Sequence, residues 1–233
     1  STTVQQMFQV EESADGWVYN VKTRDGVGAK RYKSYSSTRP ADAKYWQKYR
    51  WVPEKPASGA DYVYPVNRSL TEAIIEASGV LYLVGGEMAA MVMLSAGLMN
   101  ATSFYGDSNL PATLIADFEA MNVKQVILIP DRDASGEKWA RKVVNALNIA
   151  GFYYEAIELP FPLVEKHGQD VNDLWLRLEC NPQFFIDTLN KLPRWSFPEE
   201  VAANVDKPNR NENSGEFINI PTKFIDDICA RLG

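Results

Sequence analysis

Two aspartates, Asp131 and Asp133, follow directly on the apolar run Val126-Ile127-Leu128-Ile129 and Pro130. In extended backbone, residues i and i+2 point the same way, so both carboxylates can face one point in space. Paired hard-oxygen ligands of this kind suit Mg²⁺ or Mn²⁺. Aspartate is equally favoured in turns and at helix N-termini, so the same pair would also serve as turn and cap. From Gly136 to Leu147 the apolar residues fall at 139, 143, 144 and 147, the spacing of one helical face. Strand, acidic turn, helix is the order in which α/β folds place their chemistry.

Two further clusters stand at comparable places. The run Val80–Val84 ends at Gly85-Gly86-Glu87, and Asp170-Val171-Asn172-Asp173 lies beyond a strand expected over residues 152–159. Asp173 would also suit the first turn of the helix that follows. Near the front, Lys30-Arg31-Tyr32-Lys33-Ser34-Tyr35 interleaves cations with aromatics. That pattern fits a strand laying basic side chains on phosphates while aromatics pack or stack on bases. A solvated edge strand kept soluble by lysines has the same composition.

The elements that must hold these residues change in kind along the chain. Residues 7–33 read as a β-meander, with Met7-Phe8-Gln9-Val10 as its first strand and Asp-Gly turns at Asp15-Gly16 and Asp25-Gly26. Residues 41–48 predict a short helix, Tyr49-Arg50-Trp51-Val52 an extended segment, and residues 61–66 another short strand. Ser69-Leu70-Thr71-Glu72 has the form of a capping box. Beyond it, helices over residues 73–77, 88–97, 110–121, 135–150 and 181–192 alternate with strands over 80–84, 102–105, 126–129 and 152–159. Alternation at these lengths means βαβ units and a mostly parallel sheet. Residues 198–215 are polar and read as linker, and residues 219–228 as a short docking helix.

At 233 residues, 45% hydrophobic and 12% aromatic, the chain has the composition of a globular protein with a proper core. No apolar run approaches the ~18–20 residues that span a bilayer, and the N-terminus has no signal pattern. Cys180 and Cys229 have neither metal-ligand nor disulfide-framework spacing, so a cytoplasmic setting is expected. The net charge of −6 hides an asymmetry: residues 1–68 hold 11 Lys and Arg against 7 Asp and Glu, or +4, leaving −10 for the rest. A basic, aromatic front and an acidic rear suit polyanion contact in front and metal ligands behind.

The strand ending at Gly85-Gly86-Glu87, the strand ending at Asp131-Arg132-Asp133, and Gln169-Asp170-Val171-Asn172-Asp173-Leu174, taken in order, resemble the Toprim domain. The likeness is to the version found in primases of the bacterial replicative type and their phage and plasmid relatives. It covers roughly residues 80–176, and Lys30–Tyr35 and Tyr45–Trp51, leading to Tyr64-Pro65, resemble more loosely the basic subdomain that precedes Toprim in such primases. The resemblance implies an α/β fold, a Toprim-like mostly parallel sheet flanked by helices and preceded by a small basic β-rich subdomain. The expected divisions are 1–68, 69–195 and 196–233. A zinc-binding domain before and a helicase part after, as in complete primases, are not in this sequence, and an excised core is expected.

The implied activity is RNA primer synthesis from nucleoside triphosphates on a single-stranded DNA template, with a replicative helicase as a candidate partner. The implied ligands of Mg²⁺ or Mn²⁺ are Asp131, Asp133 and Asp170, with Asn172 and Asp173 completing the shell. The family places a glutamate directly after the first strand as general acid/base, and this chain has Gly85 there. Glu87, two residues on, either stands in for it or is the accessory acid of the Glu-Gly-Glu version of the motif, and Glu87, Asp131 and Asp133 are the catalytic candidates. Lys30, Arg31, Lys33, Lys48 and Arg50 are expected on phosphates, with Tyr32, Trp46 or Trp51 stacking. Two alternatives use the same fold: a DNA-binding module impaired by Gly85 and coupled to a helicase, or a nuclease whose acids activate water.

Overall fold

The computed structural model describes residues 2–23, 28–36, 41, 47–56, 62–105 and 110–195. The chain opens with helix α1 (Thr2–Phe8), where the sequence pattern predicts a strand over residues 7–10. Phe8 is fully buried, edge-on to the Tyr19 ring at 6.5 Å. Gln9 then takes a left-handed φ of 50° and Val10 N–H bonds back to Gln5 O at 3.0 Å, which ends the helix. A single buried aromatic anchors this short segment, and strand alternation has no role in it.

Strands β1 (Glu11–Glu12), β2 (Gly16–Val21), β3 (Ala29–Ser34) and β4 (Tyr49–Val52) form an antiparallel sheet in that order. The Asp15-Gly16 turn is where the sequence places it. Gly16 is needed there, because a Cβ would meet Lys33 O at 2.3 Å. The Asp25-Gly26 turn, most of the helix expected over 41–48, Trp46 and the whole of residues 196–233 lie outside the described residues. In place of a strand over 61–66, Tyr62 makes one antiparallel bridge to Phe104.

The α/β part follows the expected alternation. Helix α2 (Leu70–Glu76), strand β5 (Val80–Val84), helix α3 (Glu87–Ser95), strand β6 (Ala101–Thr102), helix α4 (Leu114–Ala120) and strand β7 (Gln125–Ile129) come first. Helix α5 (Ala134–Ala150), strand β8 (Tyr153–Ile157), helices α6 (Val171–Arg177) and α7 (Pro182–Lys191) and strand β9 (Arg194–Trp195) complete it. The sheet runs β6-β5-β7-β8-β9, parallel except for β9. The central strands β5 and β7 are nearly continuous apolar runs, as burial on both faces requires. Ser69 makes no side-chain cap bond. The full capping box lies at Asp170 and Asp173 instead.

One hydrophobic core joins the two parts, running from Phe8, Tyr19 and Val21 through Leu83 and Ile129 to Leu147 and Phe185. The register of β5 on β7 pairs Val84 with Ile129, so Gly85 and Asp131 emerge together at the carboxyl ends of adjacent strands. In open parallel sheets that edge is where ligands bind. No helix among the described residues is long and apolar enough to cross a membrane.

Candidate functional site

At that edge lies a cleft of about 320 Å³. The antiparallel sheet supplies Lys33, Lys48 and Tyr49 to it. The β5–α3 turn supplies Gly85 to Ala89, the β7–α5 turn Asp131, Ser135, Gly136 and Trp139, and the start of α6 Asp170 and Asn172. Cations therefore bound one side and carboxylates the other.

The two aspartates of the Asp-x-Asp turn part company. Asp131 faces the cleft, with Oδ1 only 2.5 Å from where a Cβ on Gly85 would stand. Asp133 is turned into the protein, 9% exposed, as the N-cap of α5. Its Oδ1 accepts Ser135 N–H at 3.0 Å, Ser135 Oγ–H at 3.0 Å and Gly136 N–H at 2.9 Å, and its Oδ2 accepts Gly168 N–H at 3.1 Å. Burial by itself would raise the Asp133 pKa. The donors from Gly136, Gly168 and Ser135 outweigh it and hold the carboxyl below its usual range. Asp133 therefore meets the expectation of a helix cap, and all its visible donors are protein groups.

Asp170 caps α6. Its Oδ1 accepts Asn172 N–H at 2.7 Å and Asp173 N–H at 3.2 Å, and Oδ2 accepts the Asn172 side-chain amide at 2.8 Å. Asp173 Oδ2 accepts Asp170 N–H at 2.9 Å, which closes the capping box. Burial raises the Asp170 pKa, with the Asn172 amide working against it. Among the described residues no group of three or more His, Cys, Asp or Glu is placed to hold a metal ion. Of the five residues expected around a metal, Asp131, Asp170 and Asn172 line the cleft, and Asp133 and Asp173 are not among its lining residues.

Glu87 is 3% exposed and bound to the antiparallel sheet. Its carboxylate accepts Arg31 Nη2–H at 2.8 Å and Nε–H at 3.0 Å, and the Tyr19 hydroxyl donates to it as well. Burial raises the Tyr19 pKa well above its ordinary value, and the Glu87 charge adds to this. Tyr105 is raised in the same way, by burial first and Glu87 second. Burial alone would lower the Arg31 pKa, but Glu87 more than compensates.

The basic residues expected on phosphates divide by strand alternation. Arg31, Lys33, Tyr49 and Trp51 share the face turned towards the α/β part, where Lys33 opposes Tyr49 and Arg31 opposes Trp51. Arg31, 7% exposed, is buried against Glu87 with its guanidinium 4.7 Å from the Trp51 ring. The Arg31 guanidinium is thus turned onto Glu87, while Trp51, expected on nucleic acid with it, is partly buried in the same packing. Lys33 and Lys48 do reach the cleft. Burial lowers the Lys33 pKa, and the Lys48 charge lowers it further. Lys30 and Arg50 lie on the opposite face: Lys30 pairs with Glu11 at 3.1 Å, and Arg50 stacks 4.2 Å from the ring of Tyr32. Tyr32 is itself buried.

Sequence reasoning missed Tyr49, Ser135 and Trp139 as cleft residues. Helical spacing from Gly136 to Trp139 carried a signal for Trp139. Tyr49 needed the β3–β4 register, which no local pattern contains.

Residues 82–175 match the Toprim-like family Toprim_2. Among solved structures the fold is similar to the Aquifex aeolicus primase, zinc binding and RNA polymerase domains, with a TM-score of 0.53 and 18% identity over 78% of this chain and 41% of that one. It is similar to the E. coli primase catalytic core, TM-score 0.53 and 13% identity over 82% and 59%. A DnaG primase catalytic domain bound to ssDNA gives a TM-score of 0.50 and 16% identity over 77% and 52%. The chain thus spans 41–59% of the length of these proteins. No curated protein matches. At such identities the likeness is one of fold. The matched stretch holds the Gly85 turn, the Asp131 turn and the Asp170 cap, and the fold of the chain is Toprim-like and similar to that of bacterial primase catalytic cores.

Proposed function

We propose that the chain is a primase-type core whose cleft takes the triphosphate of a nucleotide, for RNA primer synthesis on single-stranded DNA. One observation carries the reading: a single cleft has Lys33 and Lys48 on one wall and Asp131 and Asp170 on the other. A structure in the same fold was solved bound to ssDNA, which supports a single-stranded template.

The donor set fits a divalent cation that seeks oxygen and keeps several waters. Asp131 and Asp170 supply two carboxylates, and Mg²⁺ is commonly held by one or two carboxylates together with substrate phosphates. Asp131 and Asp170 would hold such an ion, which would supply positive charge to offset the charge that develops in phosphoryl transfer. Lys33 and Lys48 meet the remaining phosphate oxygens from the opposite wall and favour the departing pyrophosphate by charge. Tyr49 and Trp139 offer aromatic surface within the cleft for the sugar or base.

Proton transfer is the weak point. Gly85 has no side chain, and the Glu87 carboxylate is already neutralised by Arg31. The proton of the attacking hydroxyl then leaves to water, without the about 10²–10⁴-fold that a positioned base contributes. This favours, as a second reading, a module that holds DNA and nucleotide for a helicase without making primer.

Titration of the full chain with Mn²⁺ should show saturable binding that Asp131→Asn and Asp170→Asn each weaken. Unchanged affinity in the double variant refutes the site. Labelled nucleotides on a single-stranded template then separate the two readings, because the module binds both and makes no primer.

A further inference from the structure

The turn Asp131-Arg132-Asp133 places a large cation between its two carboxylates, and that side chain is absent from the cleft. Arg132 points instead into the segment that joins β8 to α6, residues 158–170, which has no helix or strand of its own. Its Nε–H bonds Phe161 O at 2.9 Å, and its Nη2–H bonds Glu158 Oε1 at 2.8 Å. Both side chains of this pair are 16% exposed, so the pair is shielded more than a surface bridge. A guanidinium can hold a carboxylate and a carbonyl at once because its donors form a fixed fork, which an ammonium does not have.

Backbone bonds continue the same seam. Arg132 N–H reaches Gln169 O at 2.9 Å, Val164 N–H reaches Arg132 O at 3.1 Å, and Ala134 N–H reaches Val164 O at 3.1 Å. Gly168 donates to Asp133 Oδ2 at 3.1 Å. The two segments lie so close that a Cβ on Gly168 would meet Arg132 C and O at 2.3 Å. Gln169 is the residue before Asp170. The whole seam therefore ends next to Asp170, which lines the cleft together with Asp131.

We infer that Arg132 is a positioning residue: gripping Glu158 and Phe161 O, it sets where Asp170 stands relative to Asp131, and so sets the cation affinity of the cleft. The inference rests on the proposed cation site, and Arg132 touches neither ion nor substrate. Groups that orient ligands from outside the coordination shell typically change metal affinity about 10–100-fold when altered.

The test measures Mn²⁺ affinity and thermal unfolding of the full chain side by side. Arg132→Met should weaken Mn²⁺ about tenfold, the low end of that range, because Arg132 acts through the backbone. Arg132→Lys should recover part of the loss, and Glu158→Gln should show a smaller loss. Amide exchange at Gly168 and Asp170 should speed up in Arg132→Met without any metal present. Leu189→Ala, in the core on α7, should lower the melting temperature and leave Mn²⁺ affinity unchanged. Unchanged affinity in Arg132→Met and Glu158→Gln overturns the inference while leaving the cation site intact. An equal loss in Leu189→Ala overturns it too, as mere global destabilisation. A parent chain that binds no Mn²⁺ refutes the proposed site itself, and the inference with it.

Discussion

Glu87 is where a catalytic and a structural role make opposite predictions. Its carboxylate is 3% exposed and Arg31 is 7% exposed, with Nη2 and Oε1 2.8 Å apart. Glu87→Gln keeps the shape and the oxygen that accepts from Tyr19, but leaves the Arg31 charge buried without its partner. Breaking one side of such a pair costs about 3–5 kcal/mol. For a chain of this size each kcal/mol moves Tm by about 2–4 °C, so the expected drop is about 6–20 °C. Arg31→Met should cost a similar amount by stranding the carboxylate. The double variant Arg31→Met/Glu87→Met should regain most of the loss, because no buried charge is left unpaired. Urea and thermal unfolding of the two singles and the double give the coupling directly. Single losses below about 1 kcal/mol, the range of a solvated surface pair, would refute the burial argument. Lost primer synthesis with Tm unchanged in Glu87→Gln would instead return Glu87 to the chemistry.

Two other expectations follow from the positions of Asp133 and the lysines. Asp133→Ala should cost about 1–2 kcal/mol at neutral pH by removing the α5 cap. Because its folded pKa is depressed, the ionised cap contributes fully above the ordinary aspartate value of about 3.9 and is lost as pH falls through the lower folded value. The gap between parent and variant should therefore narrow on acid titration, and a gap independent of pH in urea unfolding argues against the ionised cap. Nucleoside triphosphate binding should weaken as salt rises, and the double variant Lys33→Ala/Lys48→Ala should reduce both the affinity and its salt dependence. Lys30→Ala/Arg50→Ala, on the opposite face of the sheet, should leave both as they are, and the reverse result would put the triphosphate on that other face.

Local pattern determined a great deal. The apolar runs Val80–Val84 and Val126–Ile129, each followed by a turn and a helix, mark strands β5 and β7, because burial on both faces leaves no polar positions. Asp131 and Asp170 are legible as cleft residues for the same reason: each stands where a strand or loop hands over to a helix. Near the N-terminus, Met7–Val10 is too short for its pattern to separate helix from strand, and packing of Phe8 on Tyr19 decided for helix.

What the tertiary structure alone decided is which of several equivalent charges meet. Asp131 and Asp133 differ little as letters, yet one faces the cleft and the other is consumed by four donors, one of them from Gly168, 35 residues away. Arg31 and Lys33 are both cations on one face of β3, but Arg31 is covered by Glu87 from 56 residues further along and Lys33 is not. Hydrogen bonds and ion pairs depend on distances of about 3 Å, and between residues so far apart in the chain those distances are set only when the two sheets close over their common core.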